Sequence, residues 1–187
     1  MMEGFDRLPP WLWEPNSTCW WQVPLIYMMG IASGARFIVE IGVDQGYGAW
    51  HFAQLAKLNN GQYLGIDIEP VWKRDWPSLP SMDRYFESNR LPAKFLQADS
   101  KTLKELPIER VDLAFVDGEH TKEAVLHEVN TLLYPKTQKN GTTYICMHDI
   151  EDFDGVREAW EGFERDDRFQ AIKFHNNHGL GILRVLK

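Results

Sequence analysis

The sequence predicts an α/β fold in which a doubly wound, mostly parallel sheet of seven strands ends in an antiparallel hairpin. Short apolar, β-branched runs alternate with longer amphipathic segments along most of the chain, an order that is typical of parallel sheets. A glycine-rich turn joins the first of these runs directly to a helix. The last two runs are separated by Asn176, Asn177, His178 and Gly179, a tight-turn composition that predicts two antiparallel neighbours.

Each predicted element has a local signal. Helix 24–33 carries a proline in its first turn, where the missing N–H costs nothing. Helix 49–58 is stopped by Asn59, Asn60 and Gly61, and Ser81 is the expected cap of helix 82–89. The other helices are predicted at 122–133 and 155–164, with a short crossing at 102–106. The strands are predicted at 37–43, 63–68, 94–98, 111–116, 142–147, 170–174 and 181–185.

Composition limits the classes of function. The 187 residues suit one domain, with an irregular, tryptophan-rich arm at 1–23 ahead of an α/β domain at 24–187. A net charge of −7 disfavours a nucleic-acid binder, since no large basic patch balances it. The longest apolar run, 23–32, is too short to cross a bilayer. Two cysteines favour a reduced, cytoplasmic protein.

The turn after the first strand predicts a cofactor site. Glu40 lies near the end of that strand, and Gly42, Gly46 and Gly48 follow it, so the backbone can turn tightly and approach a ligand. An acid at this place suits a cationic cofactor better than a phosphate. The dinucleotide fingerprint G-x-G-x-x-G would require glycine at Asp44 when read from Gly42, and the sequence does not provide it.

The pattern E-x-G-x-x-x-G-x-G resembles motif I of class I S-adenosylmethionine-dependent methyltransferases. The resemblance covers roughly residues 24–187, and that family has seven strands with one reversed edge element. It implies that residues 40–48, including Asp44, bind the cofactor and that Asp67 grips the ribose. Asp99, with Ser100 beside it, would lie next to the adenine. Asp67 and Asp99 could also be simple turn residues at strand ends.

The fourth and fifth strands end in further polar residues. Asp117 and His120 follow the fourth strand, while His148 and Asp149 follow the fifth. Ligands of open α/β sheets bind at the carboxyl ends of strands, so these side chains are expected in one crevice. Aspartate and histidine together hold divalent cations well.

The motif D-G-x-H after the fourth strand resembles a metal-dependent branch of O-methyltransferases that act on sugar hydroxyls. The resemblance implies that Asp117 is a metal ligand and a catalytic residue, with His120 as general base. It places the other ligands at His148 and Asp149, where the branch has two adjacent acids or Asp-Asn. Histidine at 148 departs from that pattern and favours Mn, Fe or Zn over Mg.

The structural alternatives are that His120 caps the next helix or is a solvated loop histidine, and that His148 and Asp149 are a hydrogen-bonded pair that merely closes a strand. His175 and His178 are expected to be surface residues.

The expected function is therefore metal-assisted O-methylation of a small acceptor that carries several hydroxyl groups. S-adenosylmethionine and a divalent metal are the expected cofactors. Other functions stay open: an oxygenase-like or binding protein on the same cofactor fold, a nicotinamide oxidoreductase, or an interaction module. The tryptophan-rich arm and the segment around Trp72 and Trp76 are expected to shape the acceptor pocket or to form a homo-oligomer contact. The alternative is that these tryptophans fill the core and pack the arm onto the domain.

Overall fold

The computed structural model describes residues 21–44, 46–68, 82–175 and 178–187. The predictions for residues 1–20 of the N-terminal arm, the Trp72–Trp76 segment, the cap at Ser81 and the two asparagines of the hairpin turn lie outside these residues. The end of the predicted arm is not irregular, since Gln22 and Val23 begin the first helix. No helix of the described residues is long and apolar enough to cross a membrane.

The described chain contains seven strands and five α-helices. The strands are β1 (Phe37–Ile41), β2 (Gln62–Asp67), β3 (Ala93–Gln97), β4 (Leu113–Val116), β5 (Tyr144–His148), β6 (Phe169–Phe174) and β7 (Leu180–Val185). The helices are α1 (Gln22–Ser33), α2 (Tyr47–Leu58), α3 (Met82–Ser88), α4 (Lys122–His127) and α5 (Asp154–Glu164).

The strands form one sheet in the order β3-β2-β1-β4-β5-β7-β6. Strands β1 to β5 pair in parallel, whereas β7 runs antiparallel to both β5 and β6. The doubly wound α/β prediction with a terminal antiparallel hairpin is confirmed. The reversed strand is not at the edge, however. All residues of β7 but one are buried, whereas those of β6 are largely exposed. The more apolar strand, β7, therefore lies between β5 and β6, and β6 forms the edge of the sheet.

The sheet separates two apolar clusters because successive side chains of a strand point to opposite faces. Val39 and Ile41 of β1 face a cluster with Trp160 of α5. Ile38 faces the other cluster, which contains Phe52 of α2. Both faces of the central strands are therefore buried, which explains why these strands read as continuous apolar runs.

Two element boundaries differ from prediction in ways that shape the site. Strand β1 ends at Ile41, two residues early, because Gly42 turns the chain with φ +87°. Helix 122–133 is α-helical only to His127, and Glu128–Leu133 form a wider π-helical turn. Such turns are frequent at functional sites, and here the wider turn begins at a buried acid, Glu128.

Candidate active site

A cavity of about 330 Å³ lies at the carboxyl ends of β1 to β4, where open α/β sheets bind ligands. We call it the strand-tip cavity. Its lining includes six of the predicted site residues: Gly42, Asp44, Asp67, Asp99, Ser100 and Asp117. The structure thus brings residues from four strand ends to one place, as the acid-tipped strands predicted.

Asp67 holds the loop after β1 in position. Its Oδ2 accepts hydrogen bonds from the backbone N–H groups of Val43 and Asp44, at 2.8 and 3.0 Å. The same loop passes close to the end of β4: a Cβ on Gly42 would lie 1.9 Å from the Asp117 carbonyl oxygen. Only glycine allows this approach. The predicted ribose contact of Asp67 remains a prediction, and a structural role in the loop is now added to it.

Glu40, Gly46 and Gly48 lie outside the lining of the strand-tip cavity. Glu40 is buried, and the Tyr63 hydroxyl donates a hydrogen bond to its Oε2. Burial raises the pKa of Glu40 well above its ordinary value, although the bond from Tyr63 opposes this shift. A Cβ on Gly48 would lie 1.9 Å from Glu40 Oε1. The Glu40 side chain therefore packs against the start of α2. Successive side chains of a strand point to opposite faces of the sheet, so Glu40 points to the other face from Ile41, which lines the cavity.

Asp99 and Ser100 close the cavity at β3. The Asp99 side chain accepts a hydrogen bond from the Lys101 backbone N–H at 2.9 Å. The Ser100 hydroxyl donates to Glu128 Oε1 at 2.6 Å. Glu128 is fully buried, and burial raises its pKa to about 7. Sequence reasoning missed Glu128, although its signal was available: an acid three residues after Val125 lies on the apolar face of the helix.

Four side chains at the carboxyl ends of β4 and β5 form an Asp–His cluster: Asp117, His120, His148 and Asp149. His120 Nε2 lies 2.9 Å from Asp149 Oδ2 and 3.8 Å from Asp117 Oδ1. His148 Nδ1 lies 2.8 Å from Asp149 Oδ1 and 3.2 Å from Asp117 Oδ1. The four residues meet because β4 and β5 are adjacent parallel strands. They were predicted to share one crevice.

Within the described chain, the ligand atoms of Asp117, His120 and Asp149 converge to within 4.8 Å of one another. This set has His120 where the sequence favoured His148 as the third metal ligand. His148 is the last residue of β5 and only 3% exposed. Its ring lies edge-on to Phe115, and its Nδ1 lies within 3.2 Å of both carboxylates. The geometry therefore favours a role in holding the two carboxylates in place. A role for His148 as a metal ligand remains a prediction.

The family model described as "Methyltransferase domain" matches residues 39–150, which is more than half of the chain. The chain belongs to this methyltransferase family. The match spans β1 to the end of β5 and therefore includes both the strand-tip cavity and the Asp–His cluster. The resemblance to class I S-adenosylmethionine-dependent methyltransferases is confirmed. No curated protein matches this sequence.

Solved structures share the methyltransferase fold at low identity. A candidate O-methyltransferase from Klebsiella pneumoniae has a TM-score of 0.72 and 16% identity, with 98% of this chain and 93% of that chain covered. The O-methyltransferase TomG from Streptomyces achromogenes, in complex with SAM, has a TM-score of 0.67 and 16% identity, covering 89% and 80%. The SAH-bound methyltransferase PaMTH1 from Podospora anserina has a TM-score of 0.66 and 14% identity, with 88% of this chain and 77% of that chain covered.

Electrostatics give the methyltransferase's Asp–His cluster a definite charge state. The neighbouring carboxylates of Asp117 and Asp149 raise the pKa of His120 to about 9. Burial opposes ionisation of both acids, but bonds to His120 and His148 hold the pKa of each below its ordinary value. At neutral pH the cluster therefore contains two carboxylates and a charged His120 imidazole. A cation could take the place of the imidazole proton.

Two further residues define the surroundings of His120. The Phe153 ring stacks on the imidazole, with ring centroids 4.0 Å apart. Thr121 is the actual cap of α4, since its hydroxyl accepts a bond from the Ala124 N–H. The alternative that His120 merely caps the helix is wrong. Sequence reasoning did not identify Phe153, because the fold alone places the start of α5 over His120.

Proposed function

We propose that this protein is an S-adenosylmethionine-dependent methyltransferase that methylates a hydroxyl group of a small polyhydroxylated acceptor with the help of a divalent cation. One observation carries the proposal: Asp117 both lines the strand-tip cavity and belongs to the convergent set of Asp117, His120 and Asp149. A methyl donor in the cavity and a cation-held acceptor oxygen would therefore be neighbours.

The cofactor assignment is supported by the family and by the cavity chemistry. The acids Asp67 and Asp99 at the tips of β2 and β3 can accept hydrogen bonds from a ribose diol and an amino group, respectively. TomG was solved with SAM and PaMTH1 with SAH, and their shared fold supports the same cofactor here. Transfer moves the methyl carbon from sulfur to the acceptor oxygen, and the sulfonium becomes a neutral thioether.

The donor set fits a divalent cation. Two carboxylates and an imidazole suit Mn²⁺, Fe²⁺ or Zn²⁺ better than Mg²⁺, which prefers oxygen ligands alone. A bound cation would lower the pKa of a coordinated hydroxyl. Asp117, Asp149 and His120 would hold it, and His148 would orient the two carboxylates from behind.

The role of His120 depends on that cation. With a pKa of about 9, the imidazole keeps its proton at neutral pH and is a poor base in the ion-free protein. A cation that balanced the two carboxylates would remove their stabilisation of the charged imidazole, and His120 could then either bind the cation or accept the acceptor's proton.

Calorimetry with S-adenosylmethionine, S-adenosylhomocysteine and NAD tests the cofactor. We expect the first two to bind, and Asp67→Asn to weaken binding by about 1.5 to 3 kcal/mol, the scale of a charge-assisted hydrogen bond, which is tenfold or more. Asp154→Asn, an exposed acid on α5, is the matched control and should bind normally. No binding by the wild-type protein, or tight NAD binding instead, contradicts the proposal.

Methyl transfer from labelled cofactor to a panel of sugars and catechols tests the reaction. Activity should vanish with chelator and return with Mn²⁺, Fe²⁺ or Zn²⁺ more readily than with Mg²⁺. His148→Glu separates the two roles of His148: a shift of preference toward Mg²⁺ would show that residue 148 itself binds the cation, and an unchanged preference would show that it only orients the carboxylates. Full activity in chelator would reduce Asp117 and Asp149 to cofactor or acceptor contacts.

A further inference from the structure

The hairpin that joins β6 to β7 is docked on the loop that follows β5. The Glu151 backbone N–H donates a hydrogen bond to the His178 carbonyl oxygen at 3.0 Å. Gly179 has φ +83°, and a Cβ there would lie 2.7 Å from both Ile150 Cγ1 and Glu151 Cγ. The close contact of the two loops therefore requires a glycine at 179.

This docking brings a second set of ligand atoms together. Asp149, Asp152 and His178 each offer an atom within 4.8 Å of the others. His178 Nδ1 makes a direct contact with an Asp152 carboxylate oxygen. The side chains of His178 and Asp152 are 39% and 43% exposed, so an ion could enter from solvent.

Asp149 belongs to both convergent sets, and its two oxygens face different neighbours. Oδ2 lies 2.9 Å from His120 Nε2. Oδ1 lies 2.8 Å from His148 Nδ1, and the His148 ring is 6.0 Å from the His178 ring between centroids. Each oxygen thus contacts a different imidazole of the Asp–His cluster, and the carboxylate as a whole also lies within ligand distance of Asp152 and His178.

We propose that Asp149, Asp152 and His178 form a second divalent-cation subsite, with Asp149 as a carboxylate shared between two ions. The inference rests on the proposed function for the first ion. Two-metal sites in other proteins hold their two metal ions about 3.5 to 4 Å apart, a spacing that one bridging carboxylate spans. Two carboxylates with an imidazole select Mn²⁺, Fe²⁺ or Zn²⁺.

A neighbouring pair provides the matched control. His175 Nδ1 contacts Glu151 Oε1 across the same two loops. This pair has the chemistry of the His178–Asp152 contact, but among the described residues it has no second carboxylate in a convergent set. Removing it tests whether hairpin docking alone, rather than ligation, affects ion binding.

The experiment titrates the full chain with Mn²⁺ alone and counts bound ions by the loss of the free-ion electron paramagnetic resonance signal. We expect two ions per wild-type chain, with a spin-coupled signal when both are bound. Asp152→Asn and His178→Asn should each keep one ion and weaken the other by roughly tenfold or more. His175→Asn should keep two. Asp117→Asn should also keep one ion, which the double variant Asp117→Asn/Asp152→Asn loses.

The outcomes separate the two proposals. One ion in the wild-type chain that Asp117→Asn removes overturns the second subsite and leaves the proposed function standing. No ion in the wild-type chain overturns both metal assignments, while cofactor binding is measured separately. Loss of the second ion in His175→Asn would assign it to loop docking and overturn ligation by Asp152 and His178.

Discussion

The strand-tip cavity and the Asp–His cluster are adjacent, yet they are held together in different ways. Backbone groups build the cavity: two loop N–H groups bind Asp67, and Gly42 rests against the Asp117 carbonyl. Side chains build the cluster, in which two acids and two imidazoles hold one another. The cavity is therefore expected to respond to backbone sterics, and the cluster to respond to protons and cations.

The largest expected effect sharpens this comparison in the cluster. His120→Ala should lower turnover by roughly 10² to 10⁴, the usual contribution of a general base, and leave cofactor affinity nearly unchanged. The measurements are kcat with labelled cofactor and the cofactor Kd by calorimetry. His175→Ala removes an exposed imidazole from the neighbouring hairpin and should not change kcat. Turnover of His120→Ala equal to wild type would leave His120 with no catalytic role.

The next prediction tests whether close backbone contacts hold the strand-tip cavity together. Gly42→Ala should destabilise the fold by roughly 3 kcal/mol, because it adds a clash with the Asp117 carbonyl to the strain of a positive φ. Gly34→Ala is the control, since Gly34 has φ +67° with nothing within 4 Å of the added Cβ. Gly34→Ala should lower the free energy of unfolding by only about 1 to 2 kcal/mol. Urea unfolding measures both, and equal losses would show that the close approach to Asp117 is unimportant.

The smallest effect concerns Glu128, which is tied to the cavity through Ser100. Its pKa is raised to about 7 by burial, against an ordinary value near 4.5. The folded state then keeps a proton that the unfolded state has lost, so stability falls as pH rises from about 4.5 to 7.

Glu128→Gln removes this titration. The free energy of unfolding of the variant, relative to wild type, should rise by about 2 to 3 kcal/mol between pH 5 and pH 8, since each unit of pKa shift is worth about 1.4 kcal/mol. Urea unfolding at both pH values measures it, with Glu161→Gln on the exposed side of α5 as control. A pH-independent difference would contradict the burial of a titrating acid.

The sequence predicted the fold well because its signals are local. The apolar run of β1, the turn at Gly42 and the acids Asp67 and Asp117 at strand ends can each be recognised from the residues at their own positions. The parallel sheet then follows from the alternation of elements. The inner place of β7 was missed because strand order depends on how much of each strand is buried, a property of the assembled sheet.

The site was predicted in its members but not in all their roles. His148 and Asp149 are adjacent in sequence, but Asp149 has φ +59°. His148 still belongs to the buried strand, whereas Asp149 already lies in the loop. The turn of the backbone at Asp149 therefore gives the two neighbouring residues different positions and roles, which their adjacency in the sequence does not show. His178, expected at the surface, is beside Asp149 because of hairpin docking, and contacts between distant loops leave no periodic signal in the sequence.

The contact between Gly42 and the Asp117 carbonyl has a thermodynamic consequence. A displacement of Asp117 on cation binding would be transmitted to the loop that Asp67 holds at the cavity, because no space separates the two backbones. Linkage makes such coupling reciprocal: the factor by which the cation changes cofactor affinity equals the factor by which the cofactor changes cation affinity. If the proposed cation and the cofactor both bind, they would then bind cooperatively rather than independently.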